Sequence, residues 1–381
     1  GIIGDKTGRR NAFILYEAIH IASMVVGAFS PNMDFLIACR FVMGVGLGAL
    51  LVTLFAGFTE YMPGRNRGTW SSRVSFIGNW SYPLCSLIAM GLTPLISAEW
   101  NWRVQLLIPA ILSLIATALA WRYFPESPRW LESRGRYQEA EKVMRSIEEG
   151  VIRQTGKPLP PVVIADDGKA PQAVPYSALL TGVLLKRVIL GSCVLIAMNV
   201  VQYTLINWLP TIFMTQGINL KDSIVLNTMS MFGAPFGIFI AMLVMDKIPR
   251  KTMGVGLLIL IAVLGYIYSL QTSMLLITLI GFFLITFVYM YVCYASAVYV
   301  PEIWPTEAKL RGSGLANAVG RISGIAAPYA VAVLLSSYGV TGVFILLGAV
   351  SIIVAIAIAT IGIETKGVSV ESLSIDAVAN K

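Results

Sequence analysis

The strongest constraint on this chain is the length of its apolar runs. Ten of them stand out, at about 12–29, 35–57, 74–97, 103–124, 188–213, 224–245, 253–270, 273–299, 313–335 and 340–363. Each reaches the roughly 18 residues that cross about 30 Å of hydrocarbon as a helix. In lipid every backbone polar group must be satisfied internally, and a helix does this within one segment. The expectation is an all-α membrane protein. Composition agrees: 56% of the 381 residues are hydrophobic and 13% are charged, where a soluble domain carries roughly 25% charged residues.

A loop of about sixty residues divides four runs from six. It opens "PESPRWLESRGRYQEAEKVMRSIEEG", in which Gly135–Glu149 has the spacing of an amphipathic helix lying at the membrane surface. The following "GKPLPPVVIADDGKAPQAVP" is rich in Pro and polar residues and has the composition of a linker. The organisation is therefore a first bundle over 1–124, a loop over 125–186, a second bundle over 187–363 and a tail over 364–381.

The formal charge of +8 has a pattern. Of the 28 Lys and Arg residues, Arg40 and Arg321 fall within apolar runs. With a cytoplasmic N-terminus, the outer loops hold only Arg103 and Lys221, and the remaining 24 are inside. This is a positive-inside distribution and places both visible termini in the cytoplasm. It marks topology and gives no support to nucleic-acid binding. The four cysteines, Cys39, Cys85, Cys193 and Cys293, lie in apolar runs without close-spaced pairs and read as small packing residues. One imidazole, His20, cannot make a metal site, and packing or a polar interhelical contact is expected for it. No nucleophile–base pair or phosphate loop appears, so neither enzyme activity nor a cofactor is expected.

The two halves echo each other. "GIIGDKTGRR" at the start recurs as "AMLVMDKIPRK" at 241–251, and "EYMPGRNRG" at 60–68 recurs as "EIWPTEAKLRG" at 302–312. Internal repeats about a central site are a property of secondary transporters. At these residues the chain resembles the major facilitator superfamily. "RFVMGVGLG" at 40–48, "PESPRWL" at 125–131, "PEIWPTEAKLRGSG" at 301–314 and "ETKG" at 364–367 resemble the branch that holds sugar porters, metabolite:proton symporters and organic-ion transporters. The resemblance implies twelve helices in two pseudo-symmetric bundles. The ten visible runs correspond to its third to twelfth helices, so the chain is expected to be an N-terminally truncated form.

The substrate class is read from the apolar runs. Gln202, Asn207, Asn79 and Asn317 are polar groups that must bond another helix or a ligand. Tyr203, Trp208, Tyr289, Tyr291 and Tyr294 could build a cavity for a flat ring, or serve ordinary packing. Arg321 lies about nine residues past the cytoplasmic end of its run, roughly 13 Å deep, and an intramembrane charge is a functional candidate by default. The resemblance adds to this. "AMNVVQYTLINWLPTIF" lacks the Gln pair and Gly-Ile-Asn usual in sugar porters, and "FVYMYVCYASAVYVPEIW" lacks their tenth-helix Gly/Pro/Trp pattern. In the organic-anion transporters that the chain resembles, an Arg at the place of Arg321 meets the substrate carboxylate. A guanidinium binds a carboxylate bidentately.

The resemblance also implies a coupling residue and a gate. In proton-coupled relatives an Arg at the place of Arg40 pairs with an Asp on the first helix. No Asp or Glu lies in the middle of a visible run, and Glu17 is near the cytoplasmic end of its own, so the proton carrier is expected outside this chain. Asp5, Arg9, Glu60, Arg67, Glu126 and Arg129 in the first half, and Asp246, Arg250, Glu302 and Arg311 in the second, are implied to form a cytoplasmic gate. Positive-inside topology alone explains the cations but not the recurring carboxylates. The second signature departs from the pattern: Pro249 and Ala241 stand where Gly is usual, and Lys6 and Lys247 replace Arg. These changes could alter the turn and weaken bidentate pairing.

The reading that results is a secondary active transporter of the bacterial inner membrane. It would take up a small organic anion, an aromatic or pyridine carboxylate, together with protons, as a monomer in the lipid bilayer. The alternatives are a sugar or polyol porter and a transport-inactive membrane fragment.

Overall fold

The computed structural model describes residues 6–61, 67–156, 158, 175–305 and 308–365, with the side chains of 51, 52, 55–61, 67–72, 129, 309 and 310 left aside. All regular structure among these residues is helical. In chain order it comprises α1 (Arg9–Ala28), α2 (Met33–Tyr61), α3 (Arg67–Asn79), α4 (Ser81–Leu92), α5 (Ala98–Tyr123), α6 (Pro128–Ser133), α7 (Tyr137–Thr155), α8 (Tyr176–Leu179), α9 (Gly182–Thr215), α10 (Leu220–Met231), α11 (Gly233–Val244), α12 (Arg250–Ser269) and α13 (Met274–Cys293). A π-helical turn (Tyr294–Tyr299), α14 (Val300–Glu302) and α15 (Lys309–Ile361) complete it.

Eight helical stretches among the described residues are long and apolar enough to cross a membrane. The ten expected runs become eight for two local reasons. The run at 74–97 is interrupted at Trp80, and α4 restarts with Pro83 in its first turn. Proline is tolerated there because that turn's N–H groups have no intrahelical partner. The last two runs merge in α15, which bends at Gly339 with φ 65° and ψ −162°. That backbone conformation is open to glycine.

The chain divides into two compact units, with boundaries at Ser71/Ser72, Gly91/Leu92 and Asp166/Asp167. The segment 72–91 therefore belongs with the second unit. In the first unit, α1 packs against both α2 and α5. Gly46 of α2 lies against the Tyr16 carbonyl and His20 amide of α1, where an added Cβ would sit 3.1 Å from each. Arg103 of α5 donates from Nη1 to the carbonyls of Ala28 and Ser30 at 2.7 and 3.2 Å, and so caps the far end of α1. The surface helix α7 runs longer than the expected 135–149 and ends at Gly156, which takes the left-handed conformation of a helix C-terminus.

In the second unit α9 and α12 pack on α15, and α11 packs on α13. Small residues make these approaches possible. Gly233 and Gly237 of α11 lie directly on the backbone of Phe282 and Thr286 in α13. Trp304, Tyr289, Tyr291, Tyr294 and Tyr299 are among the largest fully buried side chains. Apolar side chains that stand exposed, such as Phe41, Leu95, Ile322 and Ile353, are the ones a bilayer would solvate.

Candidate functional site

The second unit gathers part of the expected binding set around Arg321. A Gly-x-x-x-Gly spacing in α15 prepares the place. An added Cβ at Gly320 would meet Leu195 at 2.8 Å and Asn199 at 3.0 Å, and one at Gly324 would meet the Tyr203 ring at 3.1 Å. These two glycines let α15 lie close on α9, and Arg321 between them reaches Tyr203. Its Nη1 donates to the Tyr203 hydroxyl at 3.0 Å. Arg321 is otherwise exposed on the unit and has no carboxylate partner among the described residues. Counted from Lys309, it stands twelve residues into α15, about 18 Å along the axis.

Behind Tyr203 lies a polar aromatic cluster. Tyr289 is buried, with Gln202, Tyr203 and Tyr82 as polar neighbours. Its ring centroid is 5.2 Å from that of Tyr82, at 63°, the edge-to-face arrangement aromatic pairs favour. Tyr82 is absent from the expectation. It arrives on α4, three residues after Asn79 and across the break at Trp80, because 72–91 packs within this unit. A tyrosine three residues after an asparagine inside an apolar run was the available signal.

Other expected residues are placed differently. Asn79 and Asn317 donate to carbonyls of their own helices, Ser75 at 2.7 Å and Ser313 at 2.9 Å. Asn207 is exposed one turn beyond Tyr203, and Trp208 packs half-buried against the core. Tyr291 donates to the Val194 carbonyl at 3.1 Å. Tyr294 is fully buried, stacks on Tyr299 with centroids 5.1 Å apart at 15°, and lies against Gly254 of α12. Tyr291 and Tyr294 thus face the packed core and not the Arg321 group. Arg40 is exposed on α2.

The charged signatures resolve into two capped helix ends. In the first unit, Glu126 Oε1 accepts from the backbone N–H groups of Arg9 at 2.6 Å and Arg10 at 3.3 Å. Gly8 has φ 98°, and a Cβ there would collide with the Glu126 carboxylate. In the second unit, Glu364 accepts from the N–H groups of Arg250 at 2.8 Å and Lys251 at 3.1 Å. Carboxylates are favoured at helix N-termini by the free N–H groups and the helix dipole. Pro249, which replaces the second signature's glycine, keeps φ −56°, and the capture by Glu364 is made nonetheless.

Arg250 is the hub of the second end. Its Nε and Nη2 fork onto Glu302 at 3.0 and 3.1 Å, Nη2 also reaches Asp246 at 3.2 Å, and Nη1 donates to the Met245 carbonyl. The Arg250 side chain is 7% exposed and that of Asp246 is 92% exposed. Thr365 donates to Glu302 at 2.6 Å, and buried Arg187 holds the Ile303 carbonyl at 2.9 Å. Neither Thr365 nor Arg187 was expected. Arg311 sits over the ring of Tyr176 at 5.2 Å. Asp5 and the side chains of Glu60, Arg67 and Arg129 lie outside the described residues.

The same geometry explains "PESPRWL". Glu126 caps α1, the Ser127 hydroxyl accepts from Trp130 N–H at 3.3 Å to cap α6, and Pro128 occupies the first turn of α6. Beside it, a cavity of about 400 Å³ is lined by Arg10, Asn11, Trp130, Arg136 and Lys142 among others. Arg136 binds Glu139 through Nε and Nη2 at 2.7 and 2.6 Å. This hydrogen bonding raises the guanidinium and holds the Glu139 carboxylate below its ordinary range.

Membrane-length helices, a buried polar cluster in the second unit and carboxylate-capped helix ends define a helical membrane protein. The family model described as Major Facilitator Superfamily matches residues 1–328, and the chain belongs to that family; it is not an enzyme. It is 44% identical over 376 residues to the inner membrane metabolite transport protein YdjE of Escherichia coli (strain K12), covering 98% of this chain and 82% of that protein. It is 26% identical over 376 residues to the niacin transporter NiaP of Acinetobacter baylyi, covering 98% and 83%. Among solved structures, the xylose transporter XylE from E. coli in a partially occluded inward-open conformation aligns with TM-score 0.74 and 18% identity. That alignment covers 97% of this chain and 84% of that one, and shows the shared fold.

Proposed function

We propose that this transporter carries a small organic carboxylate of aromatic or pyridine type across the bacterial inner membrane, together with protons, by alternating access. The observation that carries the reading is Arg321: a guanidinium well inside a membrane-length helix, whose described side-chain partner is the Tyr203 hydroxyl. A charge at that depth is costly unless a partner meets it. A substrate carboxylate supplies that partner, with a strong charge-assisted bond. Tyr203, Tyr289 and Tyr82 supply ring faces and edges beside it.

Two relatives support the class. One is named as an inner membrane metabolite transport protein and the other as a niacin transporter, and niacin is a pyridine carboxylate. In this proposal the chain works as a monomer, both visible termini are cytoplasmic, and the capped ends at Glu126 and Glu364 belong to the cytoplasmic gating machinery. A sugar or polyol is the second reading, suited to the amides near the cluster. Against it, Asn79 and Asn317 each spend one amide N–H on a carbonyl of their own helix, leaving fewer donors for a ring of hydroxyls.

Thermal unfolding of the purified chain with a panel of carboxylates and sugars separates these readings. Stabilisation by nicotinate or benzoate is expected. Stabilisation by sugars alone would establish the second reading, and no response to either class would favour a transport-inactive protein.

A further inference from the structure

The first unit holds two titratable side chains inside a membrane-length helix that the reading above does not use. Glu17 and His20 lie three residues apart on α1, on one face of the helix. Their side chains are 8% and 14% exposed, and Glu17 Oε2 is 3.9 Å from His20 Nδ1. Among the described residues neither atom makes a hydrogen bond. Counted from Arg9, the two stand eight and eleven residues along α1. That is about 12 and 17 Å along the axis of a helix long enough to cross about 30 Å of hydrocarbon.

The helices packed against α1 bring no competing charge among the described residues. On α2, Gly46 backs onto the Tyr16–His20 turn, Cys39 is buried beside Gly27, and Asp34 and Arg40 are exposed. The side chains of Glu60 and Tyr61 lie outside the description. On α5, Glu99 and Arg103 stand near one end, where Arg103 is bound to Ala28 and Ser30, and Arg122 and Tyr123 stand at the other. On α1 itself, Arg9 and Arg10 are at the capped start, and buried Tyr16 is adjacent.

With one proton between them, the carboxyl and imidazole carry no net charge. Losing it leaves −1 and gaining a second leaves +1. In a low-dielectric setting both charged states are costly, and close acid–base neighbours exchange protons as a pair. Its occupancy changes when water reaches one side, which is what a proton carrier requires. Intramembrane ionisable groups of this kind mark proton paths. We propose that Glu17 and His20 form a proton-binding pair that gains and loses one proton at Glu17 Oε2 or His20 Nδ1 during transport. Its role in coupling rests on the reading above, whereas proton binding itself does not.

The test begins with infrared difference spectroscopy of the purified chain in lipid nanodiscs, titrated between alkaline and acidic pH with no substrate. A carboxylic-acid band that titrates is expected, absent in Glu17→Gln, retained in Glu17→Asp, and displaced by about one pH unit or more in His20→Gln. An unchanged titrating spectrum in Glu17→Gln, or no displacement in His20→Gln, overturns the proposal. If Glu17→Gln does not fold, Glu17→Asp and His20→Gln decide it by the same criteria. In proteoliposomes, nicotinate accumulation driven by a pH gradient should fall at least tenfold relative to nicotinate counterflow in Glu17→Gln; an unaltered ratio also overturns the coupling role. A wild type that moves no nicotinate contradicts the substrate reading alone, and the spectroscopic arm still decides the pair.

Discussion

Glu364 binds the backbone N–H groups of Arg250 and Lys251 as Glu126 binds those of Arg9 and Arg10. The carboxylate just past the last membrane-length helix of each unit closes the start of the helix that follows the signature loop. Replacing either by Ala removes a helix cap, worth about 1 kcal/mol. Glu126→Ala and Glu364→Ala should each lower the unfolding temperature, with Gln variants intermediate because they keep an acceptor and lose the charge. Unfolding followed by intrinsic fluorescence in detergent checks this.

Gly8 serves the same cap from below. Its φ of 98° and its approach to Glu126 both exclude a side chain. Gly8→Ala should cost more than about 1 kcal/mol, and the cost should shrink when Glu126 is already Ala. Stability measurements on the two single variants and the double variant reveal that coupling.

Arg250 commits its guanidinium to Glu302, Asp246 and the Met245 carbonyl while nearly buried. Arg250→Ala removes the charge-assisted bonds to the partly exposed Glu302 and should destabilise by roughly 1.5–3 kcal/mol. Adding Glu302→Gln should recover part of the loss. Arg250→Lys should fall between them, since a single ammonium cannot reproduce the fork.

The approach of α11 to α13 depends on absent side chains. At Gly237, a Cβ would overlap the Thr286 carbonyl. Gly237→Ala is expected to cost about 1–3 kcal/mol by forcing the helices apart, whereas Gly256→Ala, with open space around it, should be tolerated. Paired melting curves test the contrast.

The fold was legible because lipid admits so few backbone solutions. Apolar length located the helices and paired signatures located the charged ends. The Arg321–Tyr203 bond was not legible, since its partners are 118 residues apart and a GxxxG approach of two helices creates it. Tyr82 was missed because its segment packs with the second unit, and the start of α1 because it is capped by a carboxylate 117 residues away. Tyr294 could be read from sequence as either a cavity or a packing residue; a neighbouring glycine and a stacked tyrosine bury it.

At α7, the bond from Arg136 holds the Glu139 carboxylate below its ordinary range. A carboxylate depressed in the folded state contributes stability above its unfolded value, and that contribution is lost as pH falls through the folded value. The start of α7 should therefore show faster amide exchange, after correction for the intrinsic rate, only at pH below the ordinary carboxylate range. Glu139→Gln should remove that pH dependence.

The central claim is that Arg321 meets the substrate carboxylate, and direct binding of nicotinate to the purified protein by calorimetry tests it. The wild type is expected to bind. Arg321→Ala should weaken binding roughly ten- to a hundredfold, the equivalent of about 1.5–3 kcal/mol for a hydrogen bond to a charged group. Equal affinity in the wild type and Arg321→Ala would contradict the account.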